Sequence, residues 1–175
     1  MSIIAKATQN DAKQLAPIAK EAFLTAHGHS ASKEDITNYV AANFSVENFI
    51  EELSNPENHY YIIYYKGQIA GYSKITFNTL NKDIASKNST YMSRLYLLKE
   101  FYGLNLGKEL FDFNINFSKQ HKQHGIWLAV WIENKRAINF YTKMGFDIVG
   151  KYDFKISETH TNPNHIMHLE YNDLD

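Results

Sequence analysis

Apolar residues recur along this chain with two different periods, and the switches between them lay out the elements. Ser2 to Ala7 alternates weakly, as a first strand does. Asn10 and Asp11 stand where a helix cap belongs, ahead of Leu15, Ile18, Ala22 and Phe23 on one helical face. "HGHSAS" (His27–Ser32) breaks that helix, and a second helical region carries Tyr39, Val40, Phe44, Phe49, Ile50 and Leu53 as far as "SNPEN". "HYYIIYY", "KGQ" and "IAGYSKITF" then read as an antiparallel hairpin, followed by the polar loop "NTLNKDIASKNS". "TYMSRLYLL" (Thr90–Leu98) is a strand, and Leu106, Leu110, Phe113 and Phe117 fall at i, i+4, i+7 and i+11 of a helix. "GIWLAVW" (Gly125–Trp131) is the continuous apolar run of a strand covered on both faces. "ENKRAINFYTKMG" is a short helix that Gly145 ends in a left-handed cap, and "FDIVGKYDFKI" and "HIMHLEY" are two closing strands.

The order is strand, helices, three strands, helix, strand, helix, two strands. It predicts an α/β (α+β) domain with a mixed sheet rather than a doubly wound nucleotide fold. The 175 residues suggest a single domain over 1–175. Hydrophobic content of 44% and charged content of 21% are those of a soluble globular protein. No apolar run approaches the roughly 18 residues of a membrane span, and "MSIIAKATQNDAKQ" lacks the build of a signal peptide. With zero cysteines there is no disulfide framework, zinc-thiolate site or thiol nucleophile, and a cytoplasmic location is expected. A net charge of -1 offers no field to gather nucleic acid, so the 12 Tyr and 11 Phe are assigned to core packing rather than base stacking.

Candidate chemistry centres on "LYLLKEFYGLNLGKELF" (Leu95–Phe111), where a strand hands over to a helix through a turn with two glycines. It is not a phosphate loop of the Walker type, because Gly107-Lys108 is followed by Glu109. Nor is it a dinucleotide fingerprint, because Gly103 and Gly107 are spaced four apart. The remaining possibilities are an ordinary strand–helix turn, or a cradle whose backbone amides and positive helix end hold a pyrophosphate. One strand later stands "WIENKRAINFYTKMGF" (Trp131–Phe146). Together the two stretches resemble the GNAT superfamily of acetyl-CoA-dependent N-acetyltransferases. In that superfamily a turn Q/R-G-x-G-x-G/A precedes a later N-x-x-A-x-x-F-Y-x-x-x-G-F. The second pattern is met by Asn134, Ala137, Phe140, Tyr141, Gly145 and Phe146. The first is met by Gly103 and Gly107, with Tyr102 for Gln/Arg and Asn105 for the middle glycine. Asn is the mildest exchange where a left-handed backbone is needed. The likeness runs over about Tyr60–Leu169 and is close to the PaiA-type polyamine N-acetyltransferases.

That resemblance implies a mostly antiparallel mixed sheet of about seven strands with about four helices, and acetyl-CoA as co-substrate without a metal. It implies that the amides of Leu95, Tyr96 and Leu97 meet the pantetheine and the thioester carbonyl. Amides from Tyr102 through Gly103, Leu104, Asn105, Leu106 and Gly107 to Lys108 would hold the pyrophosphate, with Lys108 and Lys143 adding charge. Asn134 would bind the pantetheine arm or cap its helix. Tyr141 would be the general acid to the departing thiolate, a phenol with a pKa of about 10 being protonated at neutral pH. Where relatives place glutamate bases on the strand, this chain has Tyr91 and Ser93, so proton removal from the amine is expected to run through water, with a carboxylate or histidine elsewhere as possible help. The acceptor implied is a small polyamine such as spermidine or spermine. A protein N-terminus or lysine is the alternative acceptor, and a silent acyl-CoA-binding module the alternative class. Glu34, Asp35, Glu47, Glu51 and Glu52 are either acidic lining for a polyamine or a solvated helix face. His27 and His29 border the expected acceptor cleft. The clusters His121/His124 and His160/His165/His168 lack a carboxylate partner, and no metal site is expected. The apolar C-terminal strand permits a homodimer. Neither a membrane nor a nucleic-acid partner is expected.

Overall fold

A computed structural model describes residues 1–172. Among the described residues there are seven strands and five α-helices. They are β1 (Ser2–Lys6), α1 (Ala12–His27), α2 (Lys33–Asn43), α3 (Val46–Ser54), β2 (His59–Tyr65), β3 (Gln68–Thr76), β4 (Ser89–Leu97), α4 (Leu106–Gln120), β5 (Gly125–Trp131), α5 (Lys135–Lys143), β6 (Asp147–Lys155) and β7 (Thr161–Glu170). The strands lie in the order β1-β2-β3-β4-β5-β7-β6 in one sheet. Pairing is antiparallel for β1 with β2, β2 with β3, β5 with β7 and β6 with β7, and parallel for β4 with β5. This is the expected mixed, mostly antiparallel architecture. The expected count of about four helices rises to five, because the second helical region is two helices. Ser45 separates them: its hydroxyl accepts from the Asn48 amide at 3.1 Å, a capping box that starts α3 where α2 has stopped.

The chain divides into two compact units, Met1–Ile75 with Arg94–Phe113, and Thr76–Ser93 with Asn114 onward. In the first, a β2–β3 hairpin turns on Lys66 and Gly67, both at positive φ (49° and 79°), which matches the twist of the strands it joins. Its core gathers Leu15, Ala19, Phe49, Tyr60, Ile62 and Tyr72, all almost wholly removed from water. Leu106 and Leu110 of α4 are buried as the apolar period predicts.

In the second unit the core is built on β5 and β7, with Ile84 of the polar loop, Trp127 and Ile166 forming one cluster. Trp127 donates its indole N–H to the Thr79 carbonyl at 3.0 Å, which ties the loop down. Here the expected face of α4 drifts. Asn114 and Ser118 are fully buried, whereas Phe113 and Phe117 are only partly so. Ser118 is buried because Thr90 bonds it at 2.6 Å and Tyr171 donates to it at 2.9 Å, a polar network that apolar periodicity does not register. β7 also begins four residues earlier than expected. Pro163 sits in a register pair with Asp153, and its carbonyl accepts from the Ile132 amide at 3.0 Å, so only the missing N–H marks it out.

Candidate active site

The residues singled out in the sequence fall into two groups, one in each unit. In the first unit, β4 ends as the Leu98 amide donates to the Ala70 carbonyl at 2.9 Å, and a single 3-10 turn, Lys99–Phe101, follows. Phe101 is buried beneath it. Tyr102 is extended, and then Gly103 (φ 80°) and Asn105 (φ 63°) both take the left-handed conformation. The expectation that Asn105 replaces a glycine at a left-handed position therefore holds. The first helical bond of α4 is Glu109 N–H to Asn105 O at 3.1 Å. The amides of Leu106, Gly107 and Lys108 precede that ladder at the positive end of the helix, the position from which an anion is bound. Leu104 and Asn105 are exposed, and a side chain at Gly103 would meet nothing within 4 Å, so this turn faces open space.

Gly107 has the opposite reason to be glycine. A Cβ there would stand 3.3 Å from Leu97 Cδ1, so its absence lets α4 pack closely on the strand it follows. Gly71 on β3 is tighter still, since a Cβ would come within 2.6 Å of Leu97 Cδ2 and closer yet to the Tyr96 carbonyl. Sequence pattern did not single out Gly71, which reads as an ordinary hairpin residue. Leu95, Tyr96 and Leu97 are partly buried on β4. Lys108 does not stand as an isolated charge: its ammonium pairs with Asp112 at 2.5 Å on the exposed surface of α4.

In the second unit the parallel ladder of β4 with β5 covers Ser89–Tyr91. Tyr91 stacks on Trp127, ring centroids 4.0 Å apart, and the Ser93 hydroxyl is buried without a hydrogen bond. Neither is placed as a base. After β5 the chain turns, and Asn134 caps α5 by accepting from the Ala137 amide at 3.2 Å. Its Oδ1 is thus occupied by the cap, and its amide nitrogen remains a donor. α5 ends as expected on Gly145, at φ 97°. Tyr141 is 8% exposed, its ring 5.4 Å from both Phe140 and Phe146. Burial pushes its phenol above the ordinary tyrosine range, which holds it protonated at neutral pH. Lys143 is exposed in the last turn of α5.

A side-chain cluster on the other face of β4, within the first unit, was not foreseen. Arg94 lies with its Cζ 4.9 Å from the Phe44 ring centre and 5.5 Å from that of Phe49. It donates to the Tyr60 hydroxyl at 3.4 Å. Tyr60 in turn donates to Glu52 at 2.6 Å, and Lys74 pairs with the same carboxylate oxygen at 2.6 Å. Of the five acidic residues considered as polyamine lining, Glu52 is thus held inside this network, while Glu34, Glu47 and Glu51 are exposed and Asp35 is at the first turn of α2. His27 stands with Nε2 3.5 Å from the Tyr96 hydroxyl, and burial, with His29 nearby, lowers its pKa to about 4. It is neutral at pH 7 and too weak a base to carry the acceptor's proton. The only sign of Arg94 in the sequence was a charge amid strand residues.

Among the described residues no three His, Asp or Glu side chains gather as metal ligands. His121 bonds the Phe117 carbonyl at 2.9 Å, His160 bonds Asn162 at 2.8 Å, and His165 and His168 sit apart along β7. No described helix is long and apolar enough to cross a membrane.

Comparison with known proteins agrees with this layout. The family model described as acetyltransferase (GNAT) family matches residues 18–146. An uncharacterized N-acetyltransferase of Mycobacterium tuberculosis is 30% identical over 152 residues, which is 87% of this chain and 93% of that one. A spermine/spermidine N(1)-acetyltransferase of Bacillus subtilis is 29% identical over 104 residues, 56% of this chain and 67% of that one. Among solved structures, a PaiA N-acetyltransferase of Thermoplasma acidophilum, crystallised in complex with coenzyme A, has a similar fold. The TM-score is 0.77 at 21% identity, over 98% of this chain and 99% of that one.

Proposed function

Because the chain belongs to the acetyltransferase (GNAT) family, we propose that it acts as one N-acetyltransferase domain, moving an acetyl group from acetyl-CoA directly to a primary amine. The observation that carries this reading is the left-handed pair Gly103 and Asn105 at the head of α4, which opens the first helical amides toward an anion. The pyrophosphate is assigned to the amides of Tyr102–Lys108, and the thioester carbonyl to those of Leu95–Leu97. Asn134 is assigned to the pantetheine through its free amide nitrogen, and Lys143 is kept as a surface charge near the coenzyme.

In this reaction the neutral amine attacks the thioester carbon, a C–N bond forms, and a tetrahedral oxyanion develops that backbone N–H groups stabilise. The oxyanion collapses, the C–S bond breaks, and the sulfur leaves as a thiolate. Tyr141, kept protonated by burial, is assigned to donate the proton that converts the thiolate to free coenzyme A. The proton lost by the amine passes to water, since Tyr91, Ser93 and His27 are each unsuited to take it.

Two acceptor classes compete. The Bacillus relative supports a small polyamine such as spermidine or spermine. The charge around Arg94 supports an amine that also carries an anion. Thiol release from acetyl-CoA, assayed against polyamines, amino acids and peptides, tests the activity. Turnover with at least one amine is expected, with kcat/KM rising smoothly toward the amine's own ionisation. Tight coenzyme A binding without turnover on any amine would instead mark a silent acyl-CoA-binding module. A limb in the pH profile near pH 6 to 7 would reveal a dedicated base.

A further inference from the structure

We propose that Arg94 is the docking point for a carboxylate carried by the amine acceptor, so that the preferred substrate is an amino acid or a similar acid-bearing amine and not a polyamine. The inference rests on the acetyltransferase reading and deepens its acceptor.

The first ground is an unbalanced charge. Arg94 and Lys74 are two cations in one cluster, and among the described residues Glu52 is the one carboxylate with them. Glu52 is already engaged, holding Lys74 at 2.6 Å and the Tyr60 hydroxyl at 2.6 Å. Among the described residues no acid comes within ion-pair distance of Arg94. The remaining neighbours add no negative charge. Burial raises the phenols of Tyr60 and Tyr72, the latter to about 12, and His27 is neutral above pH 5. The cluster therefore carries a net positive charge. A half-buried arginine with no carboxylate of the described residues in ion-pair contact is unusual, because charged side chains give up water chiefly where something pairs with them.

The second ground is the geometry of the donors. Phe44 and Phe49 lie within cation–π distance of the guanidinium, and neither ring offers an acceptor oxygen to its N–H groups. One of those donors makes a long bond to Tyr60 at 3.4 Å, and the Tyr72 hydroxyl faces the guanidinium without a hydrogen bond of regular geometry. A planar fork with donors in hand matches a carboxylate bidentately. Arg94 is partly and not wholly buried, so the residue keeps some contact with water.

The third ground is position. Arg94 directly precedes Leu95–Leu97, the amides assigned to the thioester. Side chains alternate along a strand, so Arg94 and Tyr96 share the face opposite Leu95 and Leu97, which is where Tyr72 also packs on Tyr96. Polyamine ammonium groups arriving on this face would meet like charge.

The test uses matched pairs that differ by the carboxylate alone: lysine against 1,5-diaminopentane, and phenylalanine against phenethylamine, with spermidine as the polyamine arm. Thiol release by the full chain gives kcat/KM for each. The acid-bearing member is expected to be preferred by about tenfold or more, the worth of a charge-assisted hydrogen bond. In Arg94→Gln that ratio is expected to collapse to about one, and in Arg94→Lys, which keeps the charge and loses the fork, to fall partway. Equal use of the pair members, or preference for spermidine, by the unmodified protein overturns the proposal and leaves the acetyltransferase reading standing. If no amine releases thiol, calorimetry separates the two claims. Absence of coenzyme A binding then counts against the acetyltransferase reading. Amino-acid binding that Arg94→Lys weakens sustains the Arg94 site, and no amino-acid binding to the unmodified protein overturns it. Should Arg94→Gln not fold, the pair ratio in the unmodified protein and in Arg94→Lys decides.

Discussion

Two asparagines open helices in this protein, and they do so by opposite means. Asn134 keeps an ordinary negative φ of -79° and lets its side chain accept from the Ala137 amide, so α5 begins self-satisfied. Asn105 is used for its backbone: at φ 63° it turns the chain left-handed and lets its carbonyl accept the first bond of α4. A side-chain cap at Asn134 answers a donor from within. The left-handed turn at Asn105 leaves donors facing outward. The contrast separates a junction that sets off a self-capped helix, with Tyr141 about two turns along α5, from a junction that leaves amides facing outward.

The sharpest way to break the comparison is at the phenol. Tyr141→Phe keeps the ring among Phe140 and Phe146 and removes the acid, so kcat is expected to fall about 100-fold while calorimetric affinity for acetyl-CoA changes less than about twofold. An unchanged kcat would show that the second junction positions no acid. Next in size is Asn105→Val. A β-branched residue pays roughly 1–2 kcal/mol for the left-handed region, and about a tenfold weaker acetyl-CoA affinity by calorimetry is expected, with Asn105→Gly near the unmodified protein. Equal affinities for the Val and Gly forms would mean that the turn does not face the ligand.

Asn134→Ala probes the other asparagine. Loss of a side-chain cap is worth about 1 kcal/mol, a fall in Tm of about 3 °C for a chain of this size, and Asn134→Ser should restore most of it. A large loss of acetyl-CoA affinity without a change in Tm would reassign Asn134 from cap to ligand contact. The smallest effect is expected at Lys108→Ala. The exposed pair with Asp112 contributes roughly 0.5 kcal/mol or less and already offsets the lysine's charge, so affinity for acetyl-CoA should shift less than about threefold. A larger shift, abolished by raised salt, would show Lys108 leaving Asp112 for the phosphates.

Much of this was legible in the residues. The strands, the hairpin turn, the Gly145 cap and the left-handed Asn105 each rest on a local rule, because a residue's own backbone preference and its neighbours' polarity decide them. The misses share a cause. Ser118 and Asn114 are polar where α4 is most buried, and only the partners Thr90 and Tyr171, far away in sequence, make Ser118 tolerable there. Glu52 looked like one of five surface acids until Tyr60 and Lys74 met it, and Arg94 was one charge in a strand until Phe44 and Phe49 closed over it.

From the order of residues alone came the class of fold, the two strand-to-helix junctions and the likeness to an acetyltransferase family, since periodicity, turn chemistry and a short motif are properties of neighbours in the chain. The tertiary structure decided which charges are paired. It removed Lys108 and Glu52 from the set of free charges and left Arg94, among the described residues, without an acid in ion-pair contact. Electrostatic balance depends on distances between residues dozens of positions apart and on how much water remains around them, and no local pattern encodes either.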